Sequence, residues 1–239
     1  MKSCIVKRLM ALVLVIFLFV SITVSVSALP MFTINLAGII DADGQDRTSW
    51  QITAANYLSN INNSHIFRLT AFNKCNLLAY LRDPNMFVIH THGDQRRLQA
   101  VDANGELSFL TVDMVNALPA GDLENLKLAY LGGCETGEGG TSATNIVNAV
   151  FAKGARCVIG YKETVVTPAN YIMIREFCTA IGCGYTISEA LAYADSRVLA
   201  EYGSSGDTHD RLVIIIVKIG GVCTDIHSVQ CAPFYTADF

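Results

Sequence analysis

The sequence predicts an α/β protein in which a mostly parallel central sheet is covered by helices on both faces. Three short apolar runs, at 31–39, 86–92 and 126–131, are almost uninterrupted by charge. Segments with helical spacing of apolar residues separate them. Strands buried on both faces carry such runs, and their alternation with helices is typical of a parallel sheet. Hydrophobic residues make up 51% of the chain and charged residues 16%, which excludes a disordered protein.

In the N-terminal half, the run at 31–39 is the first strand. The segment 47–60 follows as a helix, because its apolar residues recur at nearly helical spacing. A turn signal between two short extended pieces predicts a hairpin over 97–110. Thr111 can cap a helix that ends at Leu118. The remaining elements predicted for this half are a strand at 67–72, a helix at 75–81 and a strand at 86–92.

In the C-terminal half, the strand at 126–131 precedes a glycine-rich loop. Ser142 can cap the next helix, which runs through Lys153 and ends at Gly154. The other elements predicted for this half are a strand at 157–161, helices at about 169–180 and 187–201, and a long strand at 211–219. Residues 220–239 form a cysteine-bearing tail that the pattern does not place.

The first 28 residues have the layout of a secretory signal peptide. Lys2, Lys7 and Arg8 precede an apolar stretch at 9–20, and Ala28 offers a small residue at the cleavage position. The alternative is an uncleaved membrane anchor, because the apolar stretch continues for about the 20 residues that span a bilayer. Either interpretation puts the rest of the chain outside the cytoplasm, and only the second implies a membrane contact. The predicted organisation is a leader at 1–28, one domain at 29–219 and the tail at 220–239.

The charge balance argues against a nucleic-acid partner. The whole chain has 17 basic and 21 acidic residues, and loss of the leader's three basic residues leaves a net charge of −7. A phosphate polymer would be repelled by that field. The chain lacks a Gly-x-Ser-x-Gly elbow, which argues against an α/β-hydrolase. It also lacks a P-loop and a Gly-x-Gly-x-x-Gly fingerprint after its first strand, so no cofactor is implied.

Seven cysteines remain when Cys4 leaves with the leader, and an odd count in an exported chain leaves one thiol unpaired. Three disulfides and one free cysteine are the simplest arrangement. Cys178 with Cys183, and Cys223 with Cys231, are close enough in sequence to pair, although spacing alone does not decide connectivity. The alternative is that all seven are reduced and act as small buried hydrophobes.

Two of the predicted strands end in reactive residues. The strand at 86–92 ends in His92, which Gly93 follows, and the strand at 126–131 leads into Cys134. Ligands of open α/β sheets bind at the carboxyl ends of the strands. If these strands are parallel, His92 and Cys134 lie on the same edge of the sheet and face each other across a crevice.

A thiol and an imidazole in this arrangement can carry out acyl transfer. The Cys134 thiolate would attack a carbonyl carbon, and His92 would donate a proton to the leaving amine. The backbone N–H groups of Gly93 and Cys134 lie at the strand ends, where a tetrahedral oxyanion needs donors. A glycine after the histidine lets a substrate backbone approach closely. The odd cysteine count also favours a free Cys134.

Two short segments carry a family resemblance. VIHTHGDQ at 88–95 and LAYLGGCETGEGG at 128–140 resemble the His-Gly and Ala-Cys blocks of clan CD cysteine peptidases, the group of caspases, metacaspases, legumain, separase, gingipain and CHAT domains. KGARCVIGY at 153–161 and GYTISEALAYA at 184–194 also resemble CHAT and gingipain-type domains. One departure is Gly133, which stands where most of these enzymes have alanine.

The resemblance extends in order over about 31–219 and implies a caspase-like three-layer sandwich. It implies a cysteine endopeptidase that acts on a peptide or protein substrate, with His92 and Cys134 as the dyad and the amides of Gly93 and Cys134 as oxyanion donors. Some members of the group have lost activity and serve as binding domains, which is the alternative function.

The resemblance also implies where a substrate side chain would bind. In this family the loop after the first strand helps to form the S1 pocket. Asp41 and Asp43 in that loop would favour Arg or Lys at P1 by charge pairing. Glu135 is a second candidate, because legumain carries Glu directly after its cysteine. The alternative is that these acids cap the following helix or are simply solvated.

Two metal sites are weaker alternatives. His90, His92 and Asp94 resemble the H-x-H-x-D segment of zinc hydrolases, since alternate residues of an extended segment point the same way and two imidazoles can share one zinc ion. Asp41 and Asp43 suggest a calcium loop, but the glycine and glutamate that an EF-hand requires are not at the expected positions.

Overall fold

A computed structural model describes residues 31–41 and 44–202, together with the backbone of 217–219 and 222–224. Contacts divide the chain into two units, residues 1–30 and residues 31–239. All the described residues belong to the second unit, and the predicted leader lies outside them. No helix of the described part is long and apolar enough to cross a membrane.

The described part of the chain contains ten strands. They are β1 Phe32–Gly38, β2 Ser64–Leu69, β3 Met86–His90, β4 Gly93–Asp94, β5 Arg97–Val101, β6 Leu107–Thr111, β7 Leu128–Gly132, β8 Val158–Gly160, β9 Val217–Ile219 and β10 Val222–Thr224. Five of them form one parallel sheet in the order β2-β1-β3-β7-β8. The parallel sheet predicted from the apolar runs is therefore confirmed.

Two smaller sheets are antiparallel. β5 and β6 form the predicted hairpin, and β4 pairs with β5 at the end of β3. β9 and β10 pair with each other. Most of the strand predicted at 211–219 lies outside the described residues, and only its end at β9 is described. The strand predicted at 67–72 was placed three residues too late, because β2 spans Ser64–Leu69.

Six helices between residues 44 and 202 cover the sheet. They are α1 Trp50–Leu58, α2 Lys74–Arg82, α3 Val112–Asn116, α4 Ile146–Ala152, α5 Thr167–Gly182 and α6 Ile187–Tyr202. On one face, α1, α5 and α6 share an apolar core with Met86 and Val88 of β3. On the other face, α2, α3 and α4 share a second core with Phe87 and Ile89. Because successive strand residues point to opposite faces, one strand supplies both cores, and the three-layer prediction is confirmed.

The helix ends test three sequence predictions. Thr111 caps α3, since its side chain accepts a hydrogen bond from the Met114 amide. Gly154 follows α4 with φ +114, as predicted for a glycine at a helix end. The cap predicted at Ser142 is wrong, because Asn145 caps α4 instead. The Asn145 side chain also donates to two carbonyls of the preceding loop, which fixes the start of the helix at that residue.

The disulfide that sequence spacing allows between Cys178 and Cys183 is not formed in the structure. Cys75, Cys134, Cys178 and Cys183 are free thiols. Cys178 is buried within α5, whereas Cys183 is the exposed residue that caps this helix. Residues five apart on a helix lie about 140° apart around its axis, so these two side chains point in different directions. The pair Cys223 and Cys231 lies outside the described side chains.

Candidate active site

The carboxyl ends of β3 and β7 form the centre of the site. The two strands are parallel neighbours, and their register places His90 opposite Gly132. His92 and Cys134 each follow two residues later and leave the sheet at the same edge. Both line one cleft with a volume of about 540 Å³. The structure thus brings together the two residues that the sequence placed at strand ends.

The opposite wall of this cleft is the segment between β8 and α5. It contributes Thr164, Val165 and Val166, and the first turn of α5 adds Thr167 and Pro168. Cys134 is half-buried against this wall, and its Sγ donates a hydrogen bond to the Val165 carbonyl oxygen at 3.6 Å. The thiol is therefore free but points its proton at a backbone carbonyl rather than at His92.

The turn after β7 presents an unused backbone donor. The amides of Gly133 and Glu135 donate to carbonyl oxygens, whereas the Cys134 amide has no acceptor among the described residues. Glu135 has φ +58, a left-handed conformation that bends the chain sharply after the cysteine. The N–H of Cys134 is thus available at the position where an oxyanion donor was predicted.

Gly93, the other predicted donor, lies directly beside this turn. A β-carbon on Gly133 would stand 3.0 Å from the Gly93 Cα. In the β4–β5 ladder Gly93 is opposite Leu98, while the preceding His92 accepts a hydrogen bond from Gln99. Hydrogen-bonded and non-bonded pairs alternate in an antiparallel ladder, so the Gly93 N–H points away from β5.

His92 is held by a residue that the sequence analysis did not single out. Its side chain is 47% exposed, and its Nε2 lies 2.9 Å from Arg47 Nη2 and 3.3 Å from Asp41 Oδ2. Arg47 and Asp41 also form an ion pair of 3.0 Å with each other. One imidazole nitrogen therefore meets both a permanent cation and a carboxylate.

Arg47 is almost completely buried, with 3% of its surface exposed. Besides Asp41 and His92, its guanidinium donates to Thr167 Oγ1 at 2.8 Å and lies 3.4 Å from His90 Nε2. Arg47 does not stand out in the sequence, because it falls within the helix predicted over 47–60, whereas α1 begins at Trp50. A single basic residue within an acidic loop was the only signal that the sequence offered.

His90 lies beneath this cluster and is fully buried. Burial, and then the positive charge of Arg47, lower the pKa of His90 to about 3. The ring is therefore neutral at physiological pH, and its Nδ1 has no partner among the described residues. His90 and His92 point the same way, as their alternation predicted, but both Nε2 atoms face Arg47.

That donor set does not fit the zinc alternative. Arg47 occupies the position from which a second cation would meet both imidazoles, and Asp94 is paired with Arg97 at 2.7 Å. The described residues contain no group of three or more metal-ligating side chains. The calcium alternative is not supported either, because Asp41 forms an ion pair with Arg47 and Asp43 lies outside the described residues.

A chain of buried hydroxyl and amide groups supports the end of β7. Tyr130 and Tyr161 share a hydrogen bond of 2.6 Å, Tyr161 donates to Asn170 Oδ1, and Asn170 Nδ2 donates to the Gly132 carbonyl. Burial raises the pKa of both tyrosines, so they stay protonated. Asn170 also lines the cleft. This chain fixes the backbone two residues before Cys134.

The predicted specificity residues are separated in the structure. Asp41 is buried and paired with Arg47, so it presents no unpaired carboxylate to the cleft. Glu135 instead lines a neighbouring cavity of about 350 Å³, together with Glu138, Lys162, Glu163 and Thr164. Thr164 lines both cavities and connects the acidic one to the cleft that contains Cys134.

Comparison with solved structures identifies the class of fold. The crystal structure of the Arg-specific cysteine proteinase gingipain R matches with a TM-score of 0.60 and 10% identity, over 81% of this chain and 48% of that one. A complex of the pro- and mature domains of Porphyromonas gingivalis RgpB matches with a TM-score of 0.55 and 11% identity, over 72% and 44%. The Saccharomyces cerevisiae separase–securin complex matches with a TM-score of 0.44 and 16% identity, over 72% of this chain and 11% of that one.

The two gingipain matches show that the chain has the fold of caspase-like cysteine peptidases. The chain spans about half the length of the gingipain structures. No curated protein matches it in sequence. The family model of the CHAT domain matches residues 46–212. Because that is more than half of the chain, the protein belongs to the CHAT domain family, and the resemblance inferred from the two motifs is confirmed.

Proposed function

We propose that this protein is a cysteine endopeptidase in which Cys134 is the nucleophile and His92 the general acid and base. The observation that carries the proposal is the opening of both side chains onto one cleft, at the ends of adjacent parallel strands. The N–H groups of Gly93 and Cys134 are the proposed oxyanion donors. The substrate is a peptide or protein, and the predicted leader puts the enzyme outside the cytoplasm.

The groups of this cleft can carry out every proton transfer of peptide hydrolysis. The Cys134 thiol loses its proton to His92, and the thiolate adds to the scissile carbonyl. The tetrahedral oxyanion accepts hydrogen bonds from the two amides, and the imidazolium gives its proton to the departing amine. Water then attacks the thioester, with His92 taking the water proton and returning a proton to the thiol.

The proposed P1 preference is a basic residue. The cavity lined by Glu135, Glu138 and Glu163 contains one lysine, Lys162, and therefore carries an excess of negative charge beside the cleft. A guanidinium or ammonium group would pair with those carboxylates. Asp41 is already neutralised by Arg47, so we assign the preference to Glu135 before Asp41 or Asp43.

The test is hydrolysis of a fluorogenic peptide library that varies P1 among Arg, Lys, Asp and uncharged residues. We expect cleavage after Arg or Lys, no turnover by Cys134→Ala, and turnover by His92→Ala lowered by about 10²- to 10⁴-fold. Glu135→Gln should lower kcat/KM for basic P1 residues and leave other residues unchanged. Residual turnover in Cys134→Ala would refute the nucleophile.

A domain that binds a peptide without cutting it is the second candidate function. It is favoured by one observation, since Cys134 Sγ bonds to the Val165 carbonyl and His92 bonds to Arg47, so the two side chains do not meet each other. Alkylation near pH 6 without reductant separates the candidates. Labelling of Cys134 that slows in His92→Ala supports the peptidase, whereas slow labelling that is the same in wild type and His92→Ala supports the binding domain.

A further inference from the structure

We propose that Arg47 is a positioning residue that decides, in competition with Asp41, which ring nitrogen of His92 carries the proton. This inference rests on the proposed roles of His92 and Cys134 and adds a control over when the imidazole can act as a base.

Arg47 is fixed in place by its own backbone. Its amide donates to the Ile39 carbonyl, and its carbonyl accepts a hydrogen bond from Trp50 Nε1 at 2.7 Å. A β-carbon on Gly38 would stand 2.2 Å from the Arg47 carbonyl oxygen, so only glycine allows β1 to approach this loop so closely. The buried guanidinium is therefore a built part of the site and not a flexible surface arm.

The contact between Arg47 and His92 specifies a tautomer. An arginine side chain has five N–H donors and no acceptor. At 2.9 Å from Arg47 Nη2, the Nε2 of His92 must therefore offer its lone pair. The neutral ring then carries its proton on Nδ1.

Asp41 specifies the opposite tautomer. A carboxylate only accepts hydrogen bonds, so its Oδ2, 3.3 Å from the same Nε2, can bond only to a ring that carries a proton there. One Nε2 cannot satisfy both partners at once. His92 therefore has two neutral arrangements, one bonded to Arg47 and one bonded to Asp41.

Only the arrangement bonded to Asp41 provides a base for the thiol. Because Nε2 is enclosed by Arg47 and Asp41, Nδ1 is the nitrogen left for chemistry. With the proton on Nε2, the Nδ1 lone pair takes the Cys134 proton, which gives a thiolate and an imidazolium. The Nδ1 proton later passes to the leaving amine. With Arg47 bonded to Nε2, Nδ1 already carries a proton and cannot take another while that contact lasts.

The hydrogen bond that holds the Arg47 guanidinium at Thr167 lies where a substrate would bind. Arg47 Nη1 donates to Thr167 Oγ1 at 2.8 Å, and Thr167 lines the cleft at the start of α5. A peptide that displaces this hydrogen bond weakens the hold of Arg47 and favours the arrangement with Asp41. The described structure, with the shorter contact to Arg47, is then the resting form.

The first test is the tautomer of His92 in the wild-type full chain. Nitrogen-15 NMR of histidine-labelled protein distinguishes the two ring nitrogens, and the neutral ring is read from spectra recorded at increasing pH up to about 9. The His92 signal is assigned by its loss in His92→Gln. We expect the proton on Nδ1. A proton on Nε2 would overturn the proposal without any Arg47 variant being needed.

The second test uses two substitutions with opposite expected effects. Iodoacetamide has no side chain to bind a specificity pocket, so its rate at Cys134 reports the base alone. Asp41→Asn should slow alkylation by at least about tenfold, because a neutral amide oxygen accepts from Nε2–H more weakly than the carboxylate and the new NH2 group can donate to the Nε2 lone pair instead. Arg47→Met should move the His92 proton to Nε2 and make alkylation faster. If both variants are slowed equally, the two residues are merely structural and the proposal fails.

Thr167→Val provides the same test if Arg47→Met does not fold. It removes the hydrogen bond that anchors Nη1 but keeps Arg47, so the proton should shift towards Nε2 and alkylation should become faster; an unchanged tautomer would count against the proposal. The tautomer is readable whether or not peptides are cleaved. A chain without peptidase activity but with Nδ1–H in His92 would therefore refute the proposed function and leave this inference standing.

Discussion

A β-carbon on Gly132 would lie 2.5 Å from the carbonyl oxygen of Ile89. β3 and β7 therefore approach each other closely at their carboxyl ends only because residue 132 is glycine. Since the next residues lead to His92 on one strand and to Cys134 on the other, this close approach sets the spacing of the candidate site.

Gly132→Ala should accordingly disturb both stability and chemistry. The added methyl group forces the strand ends apart, and we expect a loss of about 1–3 kcal/mol in the free energy of unfolding. Urea denaturation measures that loss, and the rate of Cys134 alkylation measures the effect on the site. Gly184→Ala is the control, because it faces open space at φ +87 and should cost only about 1–2 kcal/mol of backbone strain. Alkylation rates that fall equally in both variants would contradict the prediction.

A second prediction concerns the chain of buried hydroxyl and amide groups that supports the end of β7. Tyr161→Phe removes the middle of the chain and leaves Asn170 Oδ1 and the Tyr130 hydroxyl without their partner. An unsatisfied buried polar group costs about 1–3 kcal/mol, and the urea midpoint should fall accordingly. Tyr130→Phe is the matched control, since Tyr161 can still donate to Asn170. Equal losses in the two variants would mean that the hydrogen bonds contribute little and that packing dominates.

How much of this site could be predicted from the sequence depends on the range of the interactions. The apolar runs of β3 and β7 are local features, so the strands, their parallel pairing and the positions of His92 and Cys134 at their ends all followed from the chain itself. Arg47 did not, because its ion-pair partner Asp41 is near in sequence but its other side-chain partners are far away. Thr167 lies 120 positions from Arg47, and His92 lies 45 positions away. No local pattern reports such a cluster.

The same distinction explains the wrong cap at Ser142 and the absence of the disulfide that spacing allowed at Cys183. Ser142 has the correct residue type for a cap, but Asn145 is fixed by carbonyls of the loop after Cys134, which only the folded chain brings near. Cys178 and Cys183 are close in sequence, but their positions on α5 direct one into the core and the other to the surface.

The free cysteines should differ in reactivity according to burial. Cys75 and Cys183 are exposed and should be alkylated in the native protein, whereas burial raises the pKa of Cys178 and should protect it until unfolding. Differential labelling in buffer and in denaturant, followed by peptide mass spectrometry, measures each site. Recovery of a peptide pair linked through Cys178 and Cys183 would contradict the assignment.

His90 should make the protein less stable in acid. Burial and Arg47 lower its pKa to about 3 in the folded state, while the unfolded chain has the ordinary value near ~6.5. Between those two values the unfolded state binds more protons, so the free energy of unfolding falls as the pH falls. The stabilisation is complete above the unfolded pKa and is lost progressively towards the folded one.

For this single group we expect a loss of about 2 kcal/mol between pH 7 and pH 5. Urea denaturation of wild type and His90→Gln at both pH values measures the difference in slope. His65→Gln is the matched control, because His65 is exposed on β2 and its removal should leave the pH dependence unchanged. If His90→Gln and wild type lose the same stability on acidification, His90 is not the buried neutral ring that its contact with Arg47 requires.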